Sequence, residues 1–179
     1  MAGGPKYSCE MRAVHWIMAV IIIGIVTLGL YMTRLSDKNP IKLELYDWHM
    51  AFGFLILFLI FIRGLIRARS TVPAMPQTIP AWERNTAKVV HVLLYVCMVG
   101  VPTLGYLAAS AYPSDVGVWF FGMTLPDGIS KNKEVAEILI EFHRYCAYSF
   151  IALIVLHIGA ALKLRYFDNG KNDVLSRML

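Results

Sequence analysis

The chain has 179 residues, 58% of them hydrophobic and 16% charged, with a formal net charge of +5 and a mean hydropathy of +0.57. A soluble domain carries roughly a quarter of its residues as charges, yet residues 14–33 and 89–114 contain no Asp, Glu, Lys or Arg at all. Runs of that length reach the roughly 20 residues a helix needs to cross a bilayer, which excludes a soluble enzyme, a disordered chain and a disulfide-stapled secreted domain.

Four apolar segments follow in chain order. The first, 13–32, comes after basic residues as a signal peptide would. It is long and no small-x-small site follows it, so it reads as an uncleaved helix. The second, 48–66, has only 15 uncharged residues before Arg63 and spans if that side chain snorkels toward the headgroups. Residues 70–80, with Pro73, Pro76 and Pro80, form a stiff linker dividing the chain into two hairpins. The third segment, 87–111, contains Pro102, which reads as a kink. The fourth, 138–164, contains Arg144. Their apolar character runs all round, without the alternation of a barrel, and inside hydrocarbon the backbone must bond to itself. The expected fold is all-α: an integral membrane four-helix bundle in one domain over 1–179, with neighbours antiparallel. No internal repeat or low-complexity tract is visible.

Lys and Arg fix the orientation. One side holds Lys6, Arg12, Arg63, Arg67, Arg69, Arg84, Lys88, Lys163, Arg165, Lys171 and Arg177, eleven in all; the other holds five, Arg34, Lys38, Lys42, Lys131 and Lys133. Both termini are therefore expected in the cytoplasm, and loops 33–47 and 112–137 outside. Trp48 and Trp119 fall where outer interface anchors belong, Trp16 and Trp82 toward the inner face. This scatter of cations over helix ends also accounts for the pI of about 9.2 without nucleic acid as a partner. Membrane lipid is the partner it implies.

The three cysteines give a negative result. Cys9 is cytoplasmic and Cys97 and Cys146 lie within spans, and neither C-x-x-C-H nor a C-x-x-C metal spacing occurs. The histidines carry more. All five, His15, His49, His91, His143 and His157, sit within or at the ends of the spans, where ionisable groups are costly and usually functional. With the orientation above, His49 and His143 lie near the outer surface and His15, His91 and His157 near the inner one. His143 and His157 are 14 residues apart, about 21 Å along a helix and within about 40° on one face. One helix can thus serve two stacked sites.

A b-type haem wants two axial ligands from facing helices, and His/His ligation gives an electron-transfer centre. The outer pair can only be His49 with His143. The inner pair is His157 with either His15 or His91, and depth slightly favours His91. Gly53 and Gly159 would relieve crowding beside a macrocycle, or serve as points of close helix contact. A zinc cluster fits poorly with two levels about 21 Å apart. A proton path through Glu141 and Arg144 reads more simply as an i, i+3 ion pair.

Placed in order, these residues resemble the bacterial cytochrome b561 family of small four-helix di-haem membrane cytochromes. The likeness runs from Lys6 to Met178. It comprises Tyr7-Ser8 leading to His15-Trp16, His49 with Gly53, the Arg63-x-x-x-Arg67 exit from the second span, His91, and Pro102-Thr103-Leu104-Gly105. The outer loop adds Trp119-Phe120-Phe121-Gly122-Met123-Thr124-Leu125-Pro126, and His143, His157 and the tail Lys171-Asn172-Asp173-Val174-Leu175-Ser176-Arg177-Met178 complete it. The resemblance implies two non-covalent haems b, the inner held by His15 and His157 and the outer by His49 and His143. His91 then becomes a neighbour of the inner haem or part of a quinone site. Arg12, Arg63 and Arg67 become propionate partners, since bidentate Arg suits carboxylates.

Members of the family exchange electrons between the periplasm and the quinone pool of the bacterial inner membrane, in at least one case oxidising superoxide and reducing quinone. An anionic donor is drawn by positive charge. Here the five outer cations face seven acids, Asp37, Glu44, Asp47, Asp115, Asp127, Glu134 and Glu137, so the outer face is not positive overall. Two other functions compete: a membrane anchor relaying electrons for a partner dehydrogenase or periplasmic redox protein, and a haem-free membrane protein using its histidines for packing or proton transfer.

Overall fold

The computed structural model describes residues 5–114, 117–168 and 172–179. Asp115, an expected outer acid, and Lys171, an expected inner cation, lie outside the described residues. Four long helices dominate: α1 (Cys9–Met32), α2 (Lys42–Arg69), α3 (Ala81–Ala111) and α4 (Lys133–Tyr166). Each is long and apolar enough to cross a membrane.

The helices extend beyond the apolar segments that mark them, because a helix continues into the interface wherever a cap has not yet stopped it. Ser8 caps α1 by accepting the Met11 N–H at 3.3 Å. Asn132 caps α4 through Val135 N at 3.1 Å, six residues before the apolar run starts. Pro80 precedes α3, a position where a missing donor costs nothing. The helix of α3 continues past Pro102, which lies inside it.

α1 packs along α2, α2 along α3 and α3 along α4. α4 has no comparably extensive backbone approach to α1 or α2 among the described residues, so it meets the first hairpin through side chains. Midway along the bundle, Met18, Ile22, Ile56, Ile60, Val90, Leu94, Met98 and Phe150 form the core.

Two elements escape a reading by hydropathy. Outside, Val118–Phe120 (β1) and Met123–Leu125 (β2) form an antiparallel hairpin with Trp119 opposite Thr124. Its turn places Phe121 at φ 45° and Gly122 at φ 88°, the left-handed pair a tight hairpin requires. Glycine suits that region; a bulky aromatic does not. Phe121 is held there by ring contacts with Phe120, Phe52, Trp48 and Trp119, centroids 5.0 to 6.0 Å away. Trp48 and Trp119 are therefore members of one aromatic roof, 5.1 Å apart edge to face.

Inside, the tail turns back as a strap across the end of the bundle, through a short 3-10 turn at Leu175–Arg177. Tyr7 N–H donates to the Arg177 carbonyl at 3.1 Å, Trp16 Nε1 to the Met178 carbonyl at 2.8 Å and Arg177 to the Ala74 carbonyl at 2.7 Å. Arg165 of α4 lies 3.8 Å from Asp173. The strap thus joins α1, the 70–80 linker and α4.

Candidate functional site

At the outer level His49 on α2 and His143 on α4 face each other, ring centroids 6.1 Å apart at 80°. His143 Nδ1 lies 2.9 Å from the Val101 carbonyl of α3. A carbonyl only accepts, so that bond assigns the proton to Nδ1 and leaves the Nε2 lone pair free. His49 Nδ1 is buried without a partner in hydrogen-bonding geometry, beside the Ile25 carbonyl of α1. Four residues beyond each carbonyl stands a glycine. A Cβ on Gly105 would come within 3.1 Å of His143, and one on Gly29 within 2.9 Å of His49. Each outer imidazole therefore leans on a bare stretch of the helix paired with its own.

At the inner level His157 has two neighbours. His15, on α1, lies with centroids 6.4 Å apart at 73°; His91, on the adjacent α3, is 5.2 Å away at 71°. Arg63 Nη1 donates to His15 Nδ1 at 2.9 Å, and its Nε donates to the Tyr95 hydroxyl at 3.0 Å. Because a guanidinium has no acceptor, His15 Nδ1 accepts here, the opposite of His143. Trp16 packs its edge on His15, centroids 5.3 Å apart. Arg12 Nε is buried and unpartnered, in the wall of an open pocket of about 550 Å³ shared with Cys9, Ala13, Trp16, Met178 and Leu179. Arg67 is exposed on α2, within electrostatic reach of His91.

Spacing separates these contacts chemically. Two imidazoles bound to opposite sides of one metal, each through a bond of about 2 Å, hold their centroids about 6 Å apart. His49–His143 and His15–His157 have that spacing, while His91–His157 is tighter. At the outer level spacing and the His143 tautomer fit a bis-imidazole macrocycle; at the inner level the spacing fits, and Arg63 would have to release Nδ1 for His15 to ligate through Nε2.

An interval of 14 residues recurs on every helix: His15 and Gly29, His49 and Arg63, His91 and Gly105, His143 and His157. Buried core positions keep the same register between hairpins, Met18 with Leu94, Ile22 with Met98, Ile56 with Phe150. Gly53 and Gly159 have nothing within 4 Å of an added Cβ, so they are not points of close helix contact. The glycines that are, Gly29 and Gly105, were not distinguished by sequence, although Gly105 stands in the Pro102–Gly105 run. Glu141 and Arg144 form their ion pair on the exposed side of α4.

A membrane four-helix bundle with imidazoles facing each other at two depths is the architecture of a b-type membrane cytochrome. Residues 6–179 match the family described as prokaryotic cytochrome b561, and the chain belongs to that family. It is 30% identical over 176 residues to cytochrome b561 homolog 2 of Escherichia coli (strain K12), covering 97% of this chain and 91% of the relative. It is 28% identical over 175 residues to cytochrome b561 homolog 1 of the same organism, covering 97% of each. A probable superoxide oxidase CybB of Yersinia pestis is 27% identical over 180 residues, covering 97% of this chain and 96% of that protein. The protein is thus a multi-pass cytochrome of the bacterial inner membrane, a b-type haem protein of membrane electron transfer.

Proposed function

We propose that the chain, as one domain over 1–179, holds two haems b between its helices and relays electrons between the outer side and the membrane quinone pool. The observation that carries this reading is the pair of imidazole facings, 6.1 Å for His49–His143 and 6.4 Å for His15–His157, stacked along α4. When bound, haem supplies reversible one-electron redox chemistry. The chain supplies the ligands and sets the tautomer of one of them. His143 keeps its proton on Nδ1 through Val101, and Gly105 lets the ring approach. The aromatic roof of Trp48, Phe52, Trp119 and Phe121 is anchored on α2 at Trp48, the residue next to His49. Arg12, with a buried donor lacking a partner, suits a propionate of the inner haem, and Arg67 is a second candidate.

His91 is left over by the spacing argument, and its side is exposed on α3. That favours a quinone carbonyl as its partner. Superoxide is the outer donor to test first, on the likeness to the Yersinia relative. The outer cations do not form a free positive funnel, since Lys42 pairs with Asp37 at 2.6 Å, Lys131 with Asp127 at 3.0 Å and Lys133 with Glu137 at 3.8 Å.

The test is a pyridine haemochrome assay with protein quantitation on chain produced with ample iron. Two haems per chain are expected, with His49→Ala or His143→Ala each leaving one. Colourless protein overturns the reading, and a double loss from either variant overturns the separation into two sites. Quinone reduction on addition of superoxide distinguishes an oxidase from an electron carrier that needs a protein donor.

A further inference from the structure

We infer that the inner end of α1 carries a seat for one anionic phospholipid: the Arg12 guanidinium takes the phosphodiester, and apolar walls from α1 and the strap take the glycerol and the first methylene groups. The inference does not depend on how many haems the bundle holds.

Two elements build the seat. Cys9, Ala13 and Trp16 recur at intervals of four and three on α1, which puts them on one stripe, about 140° to 160° round the helix from buried Met11. All three are exposed, so the stripe looks away from the bundle and toward lipid. Met178 and Leu179 of the strap form the opposite wall, and with Arg12 these residues border the open pocket of about 550 Å³. That wall is tied in place. Trp16 Nε1 donates to the Met178 carbonyl at 2.8 Å, and Lys6 Nζ donates to the Leu179 carbonyl at 3.1 Å.

Arg12 carries the only charge in this lining, and Glu10, its exposed neighbour on α1, does not reach it. The Arg12 Nε is buried without a partner, a donor that costs free energy until an acceptor arrives. A phosphodiester offers two free oxygens to the parallel N–H groups of a guanidinium. One cation suits one negative charge, so a phosphatidylglycerol headgroup fits better than the two phosphates of a cardiolipin. Depth agrees with this choice. Residues 9–16 are the first two turns of a helix long enough to span the membrane, and basic pockets at the inner ends of such helices take anionic headgroups. A soluble anion would leave the apolar stripe without an occupant. A guanidinium has five donors, so a haem propionate on the bundle side of Arg12 and a phosphodiester on its lipid side are compatible.

The experiment is native mass spectrometry of purified holoprotein in detergent, titrated separately with phosphatidylglycerol, phosphatidylcholine and inorganic phosphate. One phosphatidylglycerol per chain is expected, held at least about tenfold more tightly than phosphatidylcholine, the scale of charge-assisted hydrogen bonds. Inorganic phosphate should not displace it. R12Q abolishes the preference and R12K keeps part of it. A13W fills the seat from the lipid side with Arg12 in place and is expected to lower retention of phosphatidylglycerol; it carries the test if R12Q loses haem. R69Q, which removes an exposed cation of the same level outside the pocket, keeps the preference. Equal retention of the two lipids overturns the inference, as does a preference that survives both R12Q and A13W. Displacement by inorganic phosphate would reduce the seat to a plain anion site, and a loss in R69Q matching that in R12Q would assign the preference to diffuse surface charge; either result also overturns it.

Discussion

Gly105 lies flat against the ring of His143: a single methyl group added to its backbone would come within 3.1 Å of both Cε1 and Nδ1. The ring has little freedom to retreat, because Nδ1 is held by the Val101 carbonyl one turn away on the same helix. Gly105→Ala is therefore expected to turn the imidazole and reduce haem content from two per chain toward one. Gly100→Ala, on the same helix with nothing within 4 Å of the added atom, is the control and retains both. Equal haem content in the two variants would show that the bare helix surface is not needed.

His91→Ala separates the two candidate inner pairs. The shorter His91–His157 separation, 5.2 Å, is too small for ligands on opposite sides of one iron, so the variant is expected to keep both haems and to lose quinone reduction. Loss of the inner haem would reinstate the pair that depth favours.

Phe150 stands seven residues from both His143 and His157 and is only 6% exposed. It fills the space between the two levels from the same helix face. Phe150→Ala is expected to cost about 3 to 5 kcal/mol, the range for deleting a buried aromatic, measured by unfolding in detergent. Haem stoichiometry before unfolding should not change, since no ligand moves.

The strap supplies a pH dependence. Partial burial pushes the Asp173 carboxyl up, but hydrogen bonds from Ser176 and the Arg165 charge more than offset it, and the net shift is downward. A lowered carboxyl stabilises the folded form above its unfolded value, about 3.9, and that contribution is lost as pH falls through the lower folded value. Hydrogen-exchange protection across residues 172–179, taken relative to the intrinsic rate at each pH, is expected to fall below about pH 4, and Asp173→Asn should remove most of that dependence. A flat profile in the unmodified protein would assign the strap's hold to its backbone bonds alone.

Spans, their number and the depth of each histidine were legible in the sequence, because crossing a bilayer depends on local length and polarity. Rotation about the helix axes was not. It decides that Arg63 faces His15 and not the headgroups, and that Gly29 and Gly105 are crowded while Gly53 and Gly159 are open. These facts depend on which neighbour each face meets. The outer hairpin was hidden for a different reason: a bulky Phe121 at positive φ contradicts local preference and is held by rings from α2. The strap was equally invisible, since its ties run through backbone carbonyls, which every residue has.

The uneven seams bear on how such a protein is put together. Each hairpin is internally zipped, and the halves are sewn to one another chiefly through the α2–α3 seam. A group gripped by imidazoles from both would act as mortar between prefabricated halves.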